Sequence, residues 1–343
     1  MSTVAVQRFG RLTMRAVIEK FPLKQPFHIT GHTMTEQVVL LVELESAGLV
    51  GRGESAGVYY RQSDNPTENV KLLEAVRSRI ERGLDREYLQ SLLPPGGARN
   101  ALDCALWDLE ARVVGKPAWK LAGLGPLQPL LTTFTVGANK PEKMAADAQA
   151  YPGARAIKLK LTGEAVDADR VRAVRAACPY VWLGVDANQG FTRASLEELL
   201  PVLLQARVRL IEQPFKVGQE VLLDGLQAPI PIAADESAQT SADLRKLAGR
   251  FNVVNIKLDK CGGLTEALQM ARRAAEFGLD VMVGNMIGTS LAMAPAVLVG
   301  QLCEVVDLDG PVFLSQDRPT AVLYENGMIS CPPASWGSPA SLR

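Results

Sequence analysis

Two histidines, His28 and His32, are all the sequence holds, and both lie near its start. A catalytic or metal-binding histidine in the C-terminal half is thereby excluded, and with it HExxH zinc hydrolases and triads completed late in the chain. Cysteine is sparse too. Cys104, Cys178, Cys261, Cys303 and Cys331 are scattered, odd in number and form no CxxC pair. Neither a disulfide framework nor a zinc knot is suggested, and a reduced cytoplasm is the expected compartment. Charge of one sign is not in excess either: Lys+Arg and Asp+Glu both total 37. A balanced chain has no electrostatic reason to take nucleic acid or an anionic membrane as partner. Long apolar runs are also missing. Met1 to Lys20 has no apolar core of signal-peptide length, and the longest weakly polar stretch, Leu291 to Val299, is broken by Pro295. It is too short to span a bilayer.

What the 343 residues do contain is a rhythm. Short β-branched runs alternate with helical patterns: Leu131–Val136, Ala156–Leu161, Val181–Asp186, Val208–Glu212, Ile230–Asp235, Val253–Leu258, Asp280–Val283 and Val305–Asp309. Eight such runs read as βα units with parallel pairing. Ser195-Leu-Glu-Glu198 offers a capping box, and Gly278 closes the Thr265–Phe277 pattern as a helix C-cap. Charged residues recur at the run ends: Lys160 to Asp186 and Asp186 to Glu212 are each 26 positions, Glu212 to Asp235 is 23, and Asp235 to Lys257 is 22. A closed (β/α) barrel of the TIM type brings such strand ends to one face. An open doubly wound sheet would not, and no GxGxxG follows the first strand. The first 125 residues read instead as an α+β capping domain, with strand-like Thr13–Glu19 and Val39–Leu44 and helical Glu68–Glu81 and Ala98–Val114. Gly125-Pro126 makes a hinge, the barrel takes residues 126–310, and the Pro-, Gly- and Ser-rich tail 311–343 is expected to fold back onto the cap.

Asp186, Glu212 and Asp235 close three consecutive strands. Three carboxylates at one barrel mouth repel unless neutralised, and a hard divalent cation, Mg²⁺ first, is the simplest solution. Separate structural ion pairs are the alternative. Lys158 and Lys160 lie two apart on the second strand and share a face, while Lys257 holds the matching place on the sixth. Strands two and six of eight are opposed, so one lysine stands on each side of whatever lies between. A nearby ammonium and a dication are expected to lower a lysine pKa and free an amine as base. The chemistry that fits is removal and return of a proton α to a carboxylate through a dianionic enediolate, with the metal spreading the charge.

At this point the sequence resembles the enolase superfamily, muconate-lactonizing-enzyme subgroup, over almost its whole length. The landmarks are Ala101-Leu-Asp-Cys-Ala-Leu-Trp-Asp-Leu109, Lys158-x-Lys160, Val185-Asp-Ala-Asn188, Ile211-Glu-Gln-Pro214, Ala234-Asp-Glu-Ser237 and Asn255-Ile-Lys-Leu-x-Lys-x-Gly-Gly263. The resemblance implies Mg²⁺ (one per subunit, with Mn²⁺ as substitute) on Asp186, Glu212 and Asp235, with Lys160 and Lys257 as the acid/base pair. It places Lys158 beside Lys160 as an aid in lowering its pKa. Asp307-Leu-Asp309 resembles the Asp-x-Asp pair of dipeptide epimerases, which receives the substrate's α-ammonium; a structural ion pair or a bond to local backbone is the alternative. The implied activity is epimerisation of a dipeptide at the Cα of its C-terminal residue. Pro26-Phe-His-Ile-Thr30 resembles the epimerases that read a Glu side chain, but those carry an Arg shortly after, where this chain has Gly31 and His32. Two loops, His28–Thr35 and Gly53–Asn65, are expected to cover the site, with His32 and Tyr60 shaping side-chain preference. Asn285, Met286 and Ile287 follow the seventh strand and are expected along the dipeptide's peptide group, while Gln213 and Glu236 adjoin the metal ligands. Competing readings are a lactonizing or dehydrating lyase, an N-acyl amino acid racemase, or a silent barrel that only binds. Barrels of this type often form symmetric assemblies, so a homo-oligomer is among the expected partners.

Overall fold

A computed structural model describes residues 8–29 and 32–339. The chain opens with an antiparallel sheet of β1 (Thr13–Ile29), β2 (His32–Ser46) and β3 (Leu49–Ser55), ordered as in the sequence. Leu40, Val42 and Leu44 alternate along β2, so period two puts all three on one face. There they pack with Leu102, Leu106 and Leu109 of the helix Gly97–Val114. The same helix lies directly on β3. A Cβ at Gly53 would stand 2.1 Å from the Ala101 carbonyl oxygen, so only glycine permits this approach. The helix Pro66–Glu81 starts with proline in its first turn and with the Asn65 side chain accepting from Glu68 N–H.

After the short strand β4 (Leu130–Leu131), eight parallel strands follow in chain order. They are β5 (Phe134–Val136), β6 (Ala156–Lys160), β7 (Trp182–Asp186), β8 (Leu210–Glu212), β9 (Ile232–Ala234), β10 (Val253–Ile256), β11 (Asp280–Val283) and β12 (Val305–Val306). The sheet curls until its ends meet, with Thr133 N–H donating to the Val306 carbonyl at 2.9 Å. This is the (β/α) barrel expected from the rhythm. The spacing carries a further message. The 26-residue intervals contain the helices Asp167–Ala177 and Arg193–Gln205. The shorter ones hold a 3₁₀ turn, Glu220–Leu223, and a four-residue helix, Leu244–Leu247.

Two local readings need correction. The run Leu131–Val136 is two strands: β4 pairs with β14 (Met328–Ser330), itself paired with β13 (Leu323–Glu325), and β5 begins after Thr132 and Thr133. The capping box at Arg193–Gln205 belongs to Thr192, which accepts from Ser195 N–H while Ser195 Oγ accepts from Thr192 N–H. Gly278, at φ 68°, does end the segment before β11.

Inside the barrel the floor is apolar and the mouth is charged. Trp182 packs with Leu210, Ala233, Val253 and Met282 at the strand beginnings. Above the floor, Lys158, Lys160, Asp186 and Glu212 are all buried. The C-terminal segment touches both parts of the molecule: in the cap, Trp336 Nε1 donates to the Arg52 carbonyl at 2.9 Å and Arg318 bridges Glu19 and Glu54 at 2.6 Å each, and in the barrel Asp317 accepts from Ser290 N–H at 2.9 Å. Among the described residues no helix is long and apolar enough to cross a membrane.

Candidate active site

Strand register sets the site. Lys160 is level with Asp186 across β6 and β7, and Asp186 is level with Glu212 across β7 and β8. Adding Asp235, just past β9, brings three fully buried carboxylates together, with one oxygen of each lying within 4.8 Å of the others. Lys160 Nζ donates to Asp186 Oδ2 at 2.5 Å, and Lys257 Nζ donates to Asp235 Oδ2 at 2.6 Å. The two lysines therefore flank the cluster from opposite sides, and both line one narrow cavity at the mouth. Asn285, Met286 and Ile287 line it as well.

The chain supplies supports that sequence reasoning left aside. Lys260, 1% exposed, donates to Asp235 Oδ1 at 2.6 Å and to the Asn255 carbonyl at 3.0 Å. Asn255 Nδ2 donates to Glu212 Oε1 at 2.6 Å. A legible signal existed: Lys260 follows Lys257 by one helical turn in the helix Leu258–Cys261, inside a motif already singled out. Gln213 does adjoin the cluster, accepting from Asp235 N–H at 2.9 Å and donating to Ser237 Oγ at 2.8 Å. Glu236 accepts from Asn188 Nδ2 at 3.3 Å.

Lys158 sits among carboxylates. Its ammonium is bonded to Asp307 and lies 3.4 Å from Glu212 and 3.9 Å from Asp186, so three carboxylates surround it. Asp307 also accepts from the Thr133 hydroxyl. Asp309 accepts from Thr135 N–H at 2.6 Å and, more weakly, from Asn285 Nδ2 at 3.4 Å. Both alternatives weighed for the Asp-x-Asp pair, an ion pair and a backbone bond, are thus present in the molecule.

Charge balance explains the titration behaviour. Six buried carboxylates (Asp186, Glu212, Asp235, Glu236, Asp307 and Asp309) face four buried lysines (Lys158, Lys160, Lys257 and Lys260). Burial, with Asp186 as neighbour, pushes Glu212 up to about 7. Burial, with Asp235 and Asp186, pushes Glu236 up to about 8, and burial with Asp307 pushes Asp309 up to about 6. Burial also works against the ammonium of Lys257, but Asp235, Glu212 and Glu236 outweigh it and hold the group well above an ordinary lysine. Lys158 is raised likewise, against burial, by Asp307, Glu212 and Asp186. Both directions follow from carboxylates outnumbering ammoniums around these two lysines.

Of the two loops expected over the site, the second is irregular beyond Ser55 and lines the cavity, whereas the first is different. The segment His28–Thr35 is mostly the arms of the long β1–β2 hairpin, where Phe27 pairs with Met34. His32 begins β2, and its side chain lies outside the described residues. Phe27, Met34 and Gln37 line the cavity from this hairpin, and Tyr59 lines it from the segment after β3. Tyr60 stands beside it, with Asp235 and Lys257 among its charged neighbours; its hydroxyl accepts from Gln239 Nε2 at 3.5 Å, and its ring meets Tyr59 edge-on at 5.1 Å.

Comparison with known proteins decides the family. Residues 142–335 match the model described as enolase C-terminal domain-like, and residues 11–123 match the mandelate racemase / muconate lactonizing enzyme N-terminal domain. The chain belongs to the enolase superfamily. It is 38% identical to the L-Ala-D/L-Glu epimerase of Escherichia coli (strain K12) over 319 residues, which is 92% of this chain and 99% of that one. An enolase family member from Agrobacterium tumefaciens with homology to dipeptide epimerases, solved with sodium and L-Ala-L-Glu, superposes with a TM-score of 0.91 at 40% identity, covering 95% of this chain and 100% of that one. The dipeptide epimerase of Methylococcus capsulatus, solved with Mg and L-Arg-D-Lys, gives a TM-score of 0.88 at 30% identity, covering 94% and 97%.

Proposed function

We propose that this superfamily member is an isomerase that inverts the Cα of the C-terminal residue of a dipeptide by two-base 1,1-proton transfer. The observation that carries the reading is the placement of Lys160 and Lys257 on opposed strands, both facing one cavity beside a buried carboxylate cluster.

Asp186, Glu212 and Asp235 fit a hard dication. Their oxygens converge, and Glu212 Oε2 is buried without a hydrogen bond among the described residues, its contact there being the Lys158 ammonium at 3.4 Å. Mg²⁺ held there would supply positive charge against the dianionic enediolate that deprotonation creates. Lys160 takes or returns the proton on one face of Cα, and Lys257 serves the other, so inversion needs one neutral amine and one ammonium in each turnover. Asn285 orients the peptide group. Asp309 and Asp307 receive the α-ammonium, with Lys158 sharing Asp307 and fixing its carboxylate in place. In this reading residues 1–125 with 311–343 cap the site and residues 126–310 carry the chemistry. A reducing cytoplasm is part of the proposal, supported by five free thiols, Cys104, Cys178, Cys261, Cys303 and Cys331.

The test is incubation of the protein and Mg²⁺ with a mixed L,L-dipeptide library, and separately with N-acylated L-amino acids, in deuterated water, read by mass spectrometry. One deuterium per molecule without loss of water is the expected mark. Loss of water would favour a lyase, and exchange confined to N-acylated amino acids would favour an N-acyl amino acid racemase.

A further inference from the structure

We infer that the pocket for the side chain of the substrate's C-terminal residue is built for an apolar group and against an acidic one; this rests on the epimerase reading above and narrows its substrate class. The direction of that side chain follows from tetrahedral geometry. The exchanging proton lies on the line between Lys160 and Lys257. The carboxylate turns inward to Asp186, Glu212 and Asp235, and the nitrogen leads toward Asn285 and the Asp307–Asp309 turn after β12. One substituent of Cα remains, and the one direction left to it is out of the barrel, toward the cap.

The wall it meets there is apolar. Phe27 and Met34 are cross-strand partners near the tip of the β1–β2 hairpin, and with Tyr59, Met286 and Ile287 they line the cavity shared by the two lysines. Phe27 is held by the Phe313 ring at 4.7 Å. The uncharged amides that also line the cavity are engaged: Gln37 donates to the Val38 carbonyl at 2.8 Å, Asn188 to Glu236 at 3.3 Å and Asn285 to the Asp307 carbonyl at 2.6 Å. An acidic side chain in such surroundings needs a cation, since a desolvated carboxylate without one is strongly disfavoured. From Gln25 to Gln37 the sequence has no lysine or arginine, and its one charged residue is Glu36, an acid. The nearby cap cations are committed elsewhere. Lys24 donates to the Val312 carbonyl at 2.8 Å, Arg61 pairs with Asp64 at 3.4 Å and lines a different recess, Lys20 pairs with Glu36 at 2.8 Å, and Arg318 is bound to Glu54 and Glu19 at 2.6 Å. A branched or thioether side chain, by contrast, covers the partly exposed faces of Phe27, Met34 and Tyr59 and removes apolar surface from water.

The experiment compares kcat/KM for L-Ala-L-Xaa epimerisation with Xaa as Leu, Met, Phe or Glu, in Mg²⁺ at pH 8. The apolar substrates are expected to exceed L-Ala-L-Glu by about 100-fold, the scale on which an unpaired polar group in a pocket is rejected. A preference for Glu, or parity with it, would overturn the inference and leave the epimerase reading intact. No turnover of any dipeptide would overturn both. In Met34→Arg, the Glu-to-Leu ratio is expected to rise by about tenfold or more as the guanidinium supplies the missing partner. An unchanged ratio in a variant that melts like the parent would show the side chain lies elsewhere. Should that variant fail to fold, the parent's own profile decides.

Discussion

At the scale of single residues, the deciding question is which carboxylate is already neutralised. Asp307 is neutralised by Lys158, whereas Asp309 faces Asp307 and accepts from neutral donors. Asp309→Asn is therefore expected to raise KM for dipeptides by about ten- to hundredfold, as a charge-assisted bond to the ammonium is lost. N-acetylated dipeptides, which carry no ammonium, should show no such change. Parallel KM measurements on free and acetylated substrates check this, and equal effects on both would remove Asp309 from ammonium binding. The residues that bear the chemistry were legible in sequence because charged side chains are rarely buried at the ends of apolar strands unless a site needs them there. Lys260 and Asn255 were less so, since their roles depend on contacts across strands that no local pattern announces. Tyr59 and Tyr60 are not ranked by sequence, because adjacent aromatics in an irregular segment carry no periodicity to show which lines the cavity.

At the scale of elements, the cap helix Gly97–Val114 stabilises a barrel helix that cannot cap itself. The helix Leu264–Ala274 begins at Gly263 with no side chain of its own on its free N–H groups. Asp103, from the cap helix, accepts from Thr265 N–H at 2.9 Å and from the Thr265 hydroxyl at 2.6 Å. Asp103→Ala is expected to cost about 1–2 kcal/mol in denaturant unfolding, the range of a lost N-cap. Burial raises Asp103 to about 6 against Thr265 and the arginines Arg86 and Arg99. Because the folded-state value lies above the unfolded one, the folded protein binds the extra proton between about pH 4 and 6. This group's contribution to stability is then greatest at the acid end and falls as pH rises through about 6. Asp103→Asn should flatten that part of the stability–pH curve, and an unaltered slope would contradict the assignment. A second prediction concerns β3. Gly53→Ala places a methyl 2.1 Å from a backbone oxygen, so the strand must lift from the helix, and a loss of several kcal/mol is expected on the scale of core overpacking. Element identity was largely readable here, and element length was not. The sequence marks where a strand's hydrophobic run ends; which of its residues find a partner is settled by the curl of the sheet, as at Val305–Val306.

At the scale of the whole molecule, the cap, barrel and tail are joined around one buried carboxylate. Glu54, 1% exposed, accepts from Thr289 N–H at 2.7 Å, from the Thr289 hydroxyl at 2.5 Å and from Arg318 Nη2 at 2.6 Å. Thr289 follows Ile287 by two residues, so this junction fixes the loop that lines the cavity. Arg318→Ala leaves Glu54 buried without its cation, and a loss of about 3–5 kcal/mol is expected by thermal or denaturant unfolding. Such a long-range junction, 264 residues apart in the chain, has no sequence signature. The cavity that this assembly creates is shared by two lysines, and the division of labour between them is open to direct measurement. Lys160→Ala and Lys257→Ala are each supplied separately with the L,L- and the L,D-dipeptide in deuterated water with Mg²⁺, and deuterium exchange at Cα is followed. Epimerisation should fall by about 10²–10⁴-fold in both variants. Each variant is expected still to exchange the α-proton of one epimer only, and the surviving epimer should differ between the two. Survival of the same epimer in both, or undiminished epimerisation in either, would contradict a two-base site.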